Sequence, residues 1–286
     1  QNNINKKKFN HAYLPSQFSG IELPEIILVD LNKETLCKNK WISKLISNEI
    51  KSCVESGDQT LLFLNRRGYS PLSLCSDCGY RFQCENCSSC LVMHRNKKRL
   101  QCHHCGFSHE LDNVCPKCQK KETIKFIGPG VERVADEVKQ LFPQYTVAMM
   151  SSDNVNTTKK LKKMVNDYQS GKIDILVATQ IMSKGYHFPN LSLVGIIDAD
   201  SGLVGGDIKA IERTYNLLEQ VGGRAGRSKK LGRVILQTYF PNQPIIQSLI
   251  KRDRKEFIEN CLSERKVFDI PPYSFMTAII ISSSSK

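Results

Sequence analysis

The sequence IDILVATQIMSKG, residues 173–185, joins a nearly continuous apolar run to a loop of small and polar residues. Only Asp174 interrupts the apolar part, a pattern that is typical of a parallel strand buried on both faces. Ligands of open parallel sheets gather beyond the carboxyl ends of the strands. The loop that begins at Thr179 is therefore predicted to bring its backbone close to a phosphate group.

Further apolar runs of strand length alternate with helical patterns on both sides of this segment. This alternation predicts an α/β fold in which helices flank a parallel sheet. Strands are predicted at 60–65, 124–127, 147–150, 193–197 and 234–238, with a last strand beginning near Phe275. Helices are predicted from the stripe of Trp41 to Val54, over 131–141, after the caps Thr157 and Asp207, and from about 244 to 265.

The composition favours a polyanionic partner. Lys and Arg number 41 against 28 Asp and Glu, which gives a net charge of +13. Such an excess is most often directed at nucleic acid. No apolar run approaches the length of a membrane span, so a membrane partner is not predicted.

Nine of the twelve cysteines lie between Cys75 and Cys118, and eight of them form pairs with a two-residue gap. That gap lets two thiolates bind one ion from a single turn, and two pairs complete a tetrahedral zinc site. A disulfide framework is disfavoured because no secretory signal is present. The predicted ligands of two zinc ions are Cys75, Cys78, Cys84, Cys87, Cys102, Cys105, Cys115 and Cys118.

The four pairs can combine in three ways, and the spacing favours a nested arrangement. Fourteen residues separate Cys87 from Cys102, which is a common spacing between two pairs that share one zinc ion. The outer pairs then close around them. The preferred sites are Cys75/Cys78/Cys115/Cys118 and Cys84/Cys87/Cys102/Cys105, with sequential pairing as the alternative.

The other cysteines leave one alternative metal chemistry open. Cys90 gives Cys84 and Cys87 a third neighbour, as in an iron–sulfur run, but His94 stands where the fourth cysteine is needed. Cys37, Cys53 and Cys261 are interpreted as small apolar residues. Aromatic and basic side chains of the same segment could stack on bases and neutralise phosphates, or form an ordinary solvated surface: Tyr80, Arg81, Phe82, His94, Arg95, Lys97, Lys98 and Arg99.

A second segment, QVGGRAGR at residues 220–227, carries two arginines three positions apart among glycines. Two guanidinium groups with this spacing could clamp a triphosphate and stabilise the charge that develops on its γ-phosphoryl group. The segment follows a strand that ends in Asp198-Ala199-Asp200. We predict that it lies, with the loop after Thr179, beyond the carboxyl ends of the strands.

Together these segments resemble motifs V (179–185) and VI (220–227) of superfamily 2 helicases. LLFLNRRGY at 61–69, VERV at 131–134, KGYHFP at 184–189 and IIDAD at 196–200, with four cysteine pairs inside the lobe, resemble the PriA family of primosomal replication-restart helicases. The similarity extends over roughly residues 23–283. It implies a RecA-like second helicase lobe with an inserted zinc module of two four-cysteine sites.

The resemblance also implies a function, an ATP-driven 3′-to-5′ DNA helicase that recognises stalled forks and initiates primosome assembly. Arg224 and Arg227 would then be arginine fingers, and Gln220 would help to sense the nucleotide. Thr179 and Gln180, with Lys184, Gly185, Asp198 and Asp200, would couple the nucleotide to the DNA track. The DNA-contacting residues would be Asn65, Arg66 and Arg67.

The same resemblance implies ATP and magnesium as cofactors. It also implies forked or single-stranded DNA, single-strand DNA-binding protein and other primosome components as partners, and a cytoplasmic, nucleoid-associated location in a bacterium. Cys90 is not one of the family's paired ligands. A non-enzymatic zinc-dependent DNA-binding or adaptor module is the alternative function.

One part of the helicase pattern is missing from the sequence. These 286 residues contain no Gly-x4-Gly-Lys-Ser/Thr loop and no Asp-Glu-x-His motif after a strand. We therefore expect a piece of a longer protein that does not hydrolyse ATP alone. The predicted division is 1–72 for the start of the lobe, 73–122 for the zinc insertion, 123–250 for the rest of the lobe, and 251–286 for a linker helix and the start of a further domain.

Overall fold

A computed structural model of the chain describes most of the sequence in two compact units, residues 22–241 and a second unit that includes the chain from Asn242 onward. The described residues are 7–10, 12, 24–36, 40–64, 72–75, 77–78, 80, 82–86, 91–94, 99–102, 107–110, 114–127, 130–151, 154–155, 157–179, 186, 188–200, 209–225 and 232–277.

Eleven strands are present among the described residues, and six of them form the main sheet. In chain order they are Glu25–Asp30 (β1), Gln59–Leu64 (β2), Leu72–Cys75 (β3), Val92–His94 (β4), Arg99–Gln101 (β5), Ser108–Glu110 (β6), Ile124–Ile127 (β7), Val147–Met150 (β8), Ile175–Ala178 (β9), Leu191–Asp198 (β10) and Arg233–Thr238 (β11). The main sheet has the order β1-β11-β10-β2-β9-β8, and every neighbouring pair is parallel. The predicted α/β sheet is thus confirmed.

Six helices are present in the described part of the chain. They are Lys44–Glu55 (α1), Val131–Leu141 (α2), Thr158–Gln169 (α3), Ala210–Gly222 (α4), Pro244–Lys251 (α5) and Arg254–Val267 (α6). The Thr157 side chain caps α3 as predicted, since it accepts a hydrogen bond from the Lys160 backbone N–H. α5 and α6 belong to the second unit and pack against each other.

The sheet is buried on both faces, as its apolar strands require. Leu62, Leu64, Ile175 and Val177 share a core with residues of α1 and α2. Because successive side chains of a strand point to opposite faces, Leu61, Phe63, Leu176 and Ala178 point to the other face. That face carries the rings of Tyr168 in α3 and Phe188, whose centroids are 5.0 Å apart.

A buried polar clamp fixes the chain before α1. Gln237 of β11 accepts a hydrogen bond from the Ser43 N–H at 2.8 Å and donates one to the Trp41 carbonyl at 2.8 Å. The Trp41 N–H in turn donates to Glu137 of α2 at 2.8 Å, and burial raises the pKa of that carboxyl. Trp41, predicted within the helix, therefore lies ahead of it, and Ser43 is the N-cap.

The cysteine-rich insertion stands on an antiparallel pair. β3 pairs with β7, so the chain leaves and re-enters at adjacent strands, and β4, β5 and β6 form a separate three-stranded sheet. A small core of Phe82, Leu91 and Leu100 supports this sheet together with Cys84 and Cys102.

Several predicted boundaries differ from the structure. The helix predicted from about 244 to 265 is two helices, because Arg252 adopts a left-handed backbone with φ 56° and Asp253 caps α6. β1 had no predicted counterpart. Lys209 is the N-cap of α4, and Asp207 lies outside the described residues. Residues 275–277 form no strand, and the rest of the last predicted strand is also outside them.

Gly195 of β10 lies opposite Leu62 of β2, where the main sheet has little room for a larger side chain. A Cβ atom at this position of β10 would lie 2.7 Å from Cδ2 of the fully buried Leu62. We expect Gly195→Ala to lower the free energy of unfolding by about 1–3 kcal/mol, because overpacking forces the core to shift. Urea unfolding followed by fluorescence of Trp41, the only tryptophan, measures the change.

A matched variant tests the cause. Leu62→Val removes the atom that a new Cβ would meet, so Gly195→Ala should cost less stability on that background than on the native one. Equal costs on both backgrounds would contradict the steric explanation.

Candidate functional site

Four cysteine thiols meet at the base of the insertion. The Sγ atoms of Cys75, Cys78, Cys115 and Cys118 all lie within 4.8 Å of one another. Cys75 is the last residue of β3, and β3 is held by β7, so the pairing of these strands positions the first ligand. The structure thus brings together one of the two nested sets that the spacing favours.

The sulfur separations match those of a tetrahedral thiolate site. Cys75 Sγ is 3.7 Å from Cys118 Sγ, and Cys78 Sγ is 3.6 Å from Cys115 Sγ. A tetrahedron with metal–sulfur bonds of about 2.3 Å has an edge of about 3.8 Å. The four thiols could therefore hold an ion of the size of zinc with little movement.

The electrostatics of the cluster also favour a cation. The hydrogen bond with Thr123 Oγ1, 3.2 Å away, lowers the pKa of Cys75 to about 6. A backbone hydrogen bond at Lys120 acts to lower the pKa of Cys118, but burial and the neighbouring thiols outweigh it and raise that pKa to about 12. A negative thiolate thus makes it harder for a neighbouring thiol to lose its proton. A bound cation would offset this repulsion between thiolates.

Among the described residues, the first cysteines of three pairs make the same backbone hydrogen bond. The first cysteine donates its N–H to the carbonyl five residues on, from Cys75 to Tyr80 at 2.8 Å, from Cys102 to Phe107 at 2.7 Å and from Cys115 to Lys120 at 3.0 Å. Cys102 therefore makes the same backbone hydrogen bond as Cys75 and Cys115, which begin the two pairs of the four-thiol cluster.

The second predicted set is described only in part. Cys84 and Cys102 are buried in the small core of the insertion. Cys87, Cys105 and Cys90 lie outside the described residues, as do Arg81, Arg95, Lys97 and Lys98. Phe82, predicted as a possible stacking residue, is only 7% exposed and packs in that core instead. Arg99 lies 3.8 Å from Glu110.

Three groups around the thiol cluster were not predicted from the sequence. Thr123 contacts Cys75, and the Lys120 ammonium lies 2.8 Å from the Asp77 carboxylate. That ion pair joins the two cysteine turns, and it raises the pKa of Lys120. Opposite charges inside two turns were a possible clue, but only the fold shows that the turns face each other.

Arg224 follows the carboxyl end of α4 and is largely buried. Its guanidinium donates a hydrogen bond from Nη1 to the Tyr186 carbonyl, and the residue is 7% exposed. Gln220, in the last turn of α4, is exposed. Arg227, the second predicted finger, lies outside the described residues.

The predicted placement of this segment at the carboxyl edge of the sheet differs from the structure. α4 runs back from the end of β10 to the start of β11, so its last turn lies at the amino edge. A Cβ atom on Gly222 would be 3.6 Å from Val234, the second residue of β11. A helix that connects two parallel strands must return the chain from the carboxyl edge to the amino edge. The prediction from the motif did not take this direction into account.

Thr179 does lie at the carboxyl edge, directly after β9. Its N–H donates to the Met150 carbonyl at 3.1 Å, and the residue is buried. Among the described residues, its buried hydroxyl has no hydrogen-bond partner. Only six residues therefore separate Thr179 at one edge from Tyr186, whose carbonyl accepts the hydrogen bond of Arg224 at the other.

The remaining predicted coupling and DNA-contacting residues are only partly described. Asp198 ends β10, and Asp200 accepts hydrogen bonds from the Thr238 hydroxyl and from the Tyr239 N–H, the latter at 2.8 Å. Asp200 thereby holds the end of β11. The other members lie outside the described residues: Gln180, Lys184, Gly185, Asn65, Arg66 and Arg67.

No helix in the described part of the chain is long and apolar enough to cross a membrane.

Comparison with known proteins identifies the family. Residues 107–229 match the helicase conserved C-terminal domain. The chain is 45% identical over 284 residues to replication restart protein PriA of Rickettsia conorii, covering 99% of this chain and 44% of the relative. It is 37% identical over 261 residues to PriA of Bacillus subtilis, covering 91% and 32%.

A solved structure of RecG bound to a three-way DNA junction is similar with a TM-score of 0.46 and 12% identity, covering 86% of this chain and 23% of that chain. The chain spans less than half the length of the curated relatives that it matches. Its similarity to them nevertheless runs through the lobe and the cysteine insertion alike. Nearly the whole chain is thus similar to the helicase region of replication restart proteins named PriA.

Proposed function

We propose that this chain is the second motor lobe of an ATP-driven 3′-to-5′ DNA helicase that acts at stalled forks and initiates primosome assembly. The observation that carries the proposal is the position of Arg224 at one edge of the sheet, hydrogen-bonded to the segment that starts at Thr179 on the other edge. The relatives named replication restart protein PriA support the biological setting.

The two edges have different tasks in this proposal. The amino edge, with Arg224, Arg227 and Gln220, forms one wall of an ATP site. The carboxyl edge, where β2 leads into Asn65, Arg66 and Arg67 and β9 into Thr179, carries the DNA strand. A shift of the guanidinium toward a γ-phosphate would release the Tyr186 carbonyl, and the intervening segment would pass that change to the DNA side.

The other wall of the ATP site must come from outside these 286 residues. A phosphate loop and magnesium-binding carboxylates are required to hold the triphosphate, and neither motif occurs in the sequence. Arginine side chains then stabilise the charge that develops during transfer. Forked or single-stranded DNA, single-strand DNA-binding protein and other primosome components are the proposed partners, in the bacterial cytoplasm.

We propose two structural zinc ions in the insertion, in the nested arrangement. Zinc would neutralise the thiolates and tie the turns together, because the small core of the insertion offers little apolar area to bury. The sulfur separations of 3.6 and 3.7 Å support the first site. The backbone hydrogen bond of Cys102, which Cys75 and Cys115 also make, supports the second, with Cys84, Cys87 and Cys105 as its other ligands.

The finger assignment predicts a large loss of activity in the complete protein. Arg224→Ala should lower the rate of DNA-stimulated ATP hydrolysis by about 10³-fold, because the charge on the transferred phosphoryl group loses its partner. This chain alone should not hydrolyse ATP. Phosphate release in the presence and absence of single-stranded DNA measures both rates.

Arg233→Ala is a matched control. Arg233 begins β11 at the same edge of the sheet, where its guanidinium is 2.7 Å from Glu49, and we assign it no role in catalysis. Its loss should leave hydrolysis nearly unchanged. Normal ATP hydrolysis by the Arg224→Ala variant would contradict the assignment of Arg224 as an arginine finger. Tight DNA binding by the native complete protein without any ATP hydrolysis would favour a non-enzymatic zinc-dependent module.

Metal content tests the cysteine assignment. We expect two zinc ions per chain by elemental analysis, and about one after Cys115→Ser, because three thiolates and a hydroxyl hold zinc poorly. The insertion should then unfold before the main sheet on heating. Cys261→Ser is the control, since Cys261 lies on α6 outside both sets, and it should leave both ions in place. Iron and visible absorption in place of zinc would show that the site holds a cluster.

A further inference from the structure

Four lysines occupy the exposed side of the first half of α3. Lys159, Lys160, Lys162 and Lys163 are all exposed, while Val165 and Tyr168 on the other side of the helix are buried. Within the part of the chain that the structure describes, none of the four ammonium groups pairs with a carboxylate. We call these residues the α3 lysine cluster.

The cluster is unfavourable for the helix that carries it. The amino end of a helix repels positive charge, and like charges three or four positions apart, such as Lys159 with Lys162 and Lys163, repel each other. α3 has no acidic residue in its first turn. Three other helices follow the opposite rule, with Glu132, Glu212 and Glu256 in their first turns. Helix stability therefore does not explain these lysines.

The fold places the cluster beside the proposed DNA-bearing edge. α3 starts where β8 ends, after a turn closed by the Ser151 N–H to Asn154 Oδ1 at 2.7 Å and the Val155 N–H to the Ser151 carbonyl at 2.9 Å. β8 is the neighbour of β9, and the Thr179 N–H donates to the Met150 carbonyl. The helix that carries the lysines thus begins on the carboxyl side of β8, the edge of the sheet at which Thr179 lies.

From this juxtaposition we infer that the α3 lysine cluster binds the phosphate backbone of the single DNA strand as the strand leaves the carboxyl edge over β8. The inference rests on the proposed function, which places DNA at that edge. It extends the path of the DNA strand from the loops after β2 and β9 to α3, beside the edge strand β8. A polyanion supplies the opposite charge that the first turn of α3 lacks. The contacts are to phosphates, so they carry no base specificity.

Salt dependence of DNA binding tests the inference on this chain. The variant replaces all four lysines by glutamine, which keeps a good helix former at each position. Its affinity for a labelled oligodeoxythymidine of about 20 nucleotides should fall by about tenfold or more. Because each lost contact to a single strand removes about 0.7 from the slope of log K against log salt, that slope should decrease in magnitude by about 2–3.

A charge-matched control separates a local contact from net charge. Lys51→Gln, Lys139→Gln, Lys251→Gln and Lys255→Gln together remove the same charge from other helices, three of these lysines being ion-paired with Glu55, Glu256 and Glu259. This control should bind nearly as the native chain does. Replacing the cluster by arginine should also retain binding. Thermal stability of the glutamine variant should not fall, since repulsion within α3 is relieved.

The outcomes are distinct. Equal loss of affinity in the cluster variant and in the control would overturn the inference and leave only a general charge effect. Unchanged binding by the cluster variant would overturn it as well, with the proposed function untouched. If the native chain showed no salt-dependent DNA binding, both the inference and the DNA role of the lobe would fall. A double variant, Lys159→Gln with Lys162→Gln, should give about half of the change in slope.

Discussion

The parallel pairing of β10 with β2 on one side and β11 on the other is the constraint on which the rest of the lobe depends. Parallel strands require each connecting segment to return to the amino edge, so every motif is assigned to an edge by its place in the chain. Thr179 follows a strand and lies at the carboxyl edge. Arg224 follows a helix and lies at the amino edge. The lobe thereby has residues of interest at two separate edges of its sheet, and the segment from Thr179 to Tyr186 connects these edges.

The insertion obeys a different constraint. Its core contains few apolar side chains, and its strands are three or four residues long, so burial alone gives it little stability. Backbone hydrogen bonds at its cysteines add to it, and the antiparallel pair of β3 and β7 joins it to the lobe. A separate cysteine-rich module can therefore be inserted here without changing the register of the main sheet.

Sequence patterns predicted those elements whose cause is local. The helix cap at Thr157 and the buried strands depend on residues close in the chain, and both are present. β1 was missed because Glu25 and Asp30 flank a short apolar run and its partner, β11, is about two hundred residues away. The apolar stripe placed Trp41 in the helix. In the structure its backbone is held ahead of the helix by Gln237 and Glu137, and hydrophobic periodicity contains no information about such long-range hydrogen bonds.

The sequence by itself determined the fold class, the family and the candidate ligands, because apolar runs, motif spacing and cysteine pairs are properties of neighbouring residues. Only the tertiary structure decided that Cys75 and Cys78 meet Cys115 and Cys118, and that Arg224 and Thr179 lie at opposite edges of one sheet. Both facts depend on which strands pair and in which direction. Hydrogen bonds between distant segments set that pairing. The cysteine spacing favoured the four-thiol set but left sequential pairing open, and the motif pattern placed Arg224 at the wrong edge.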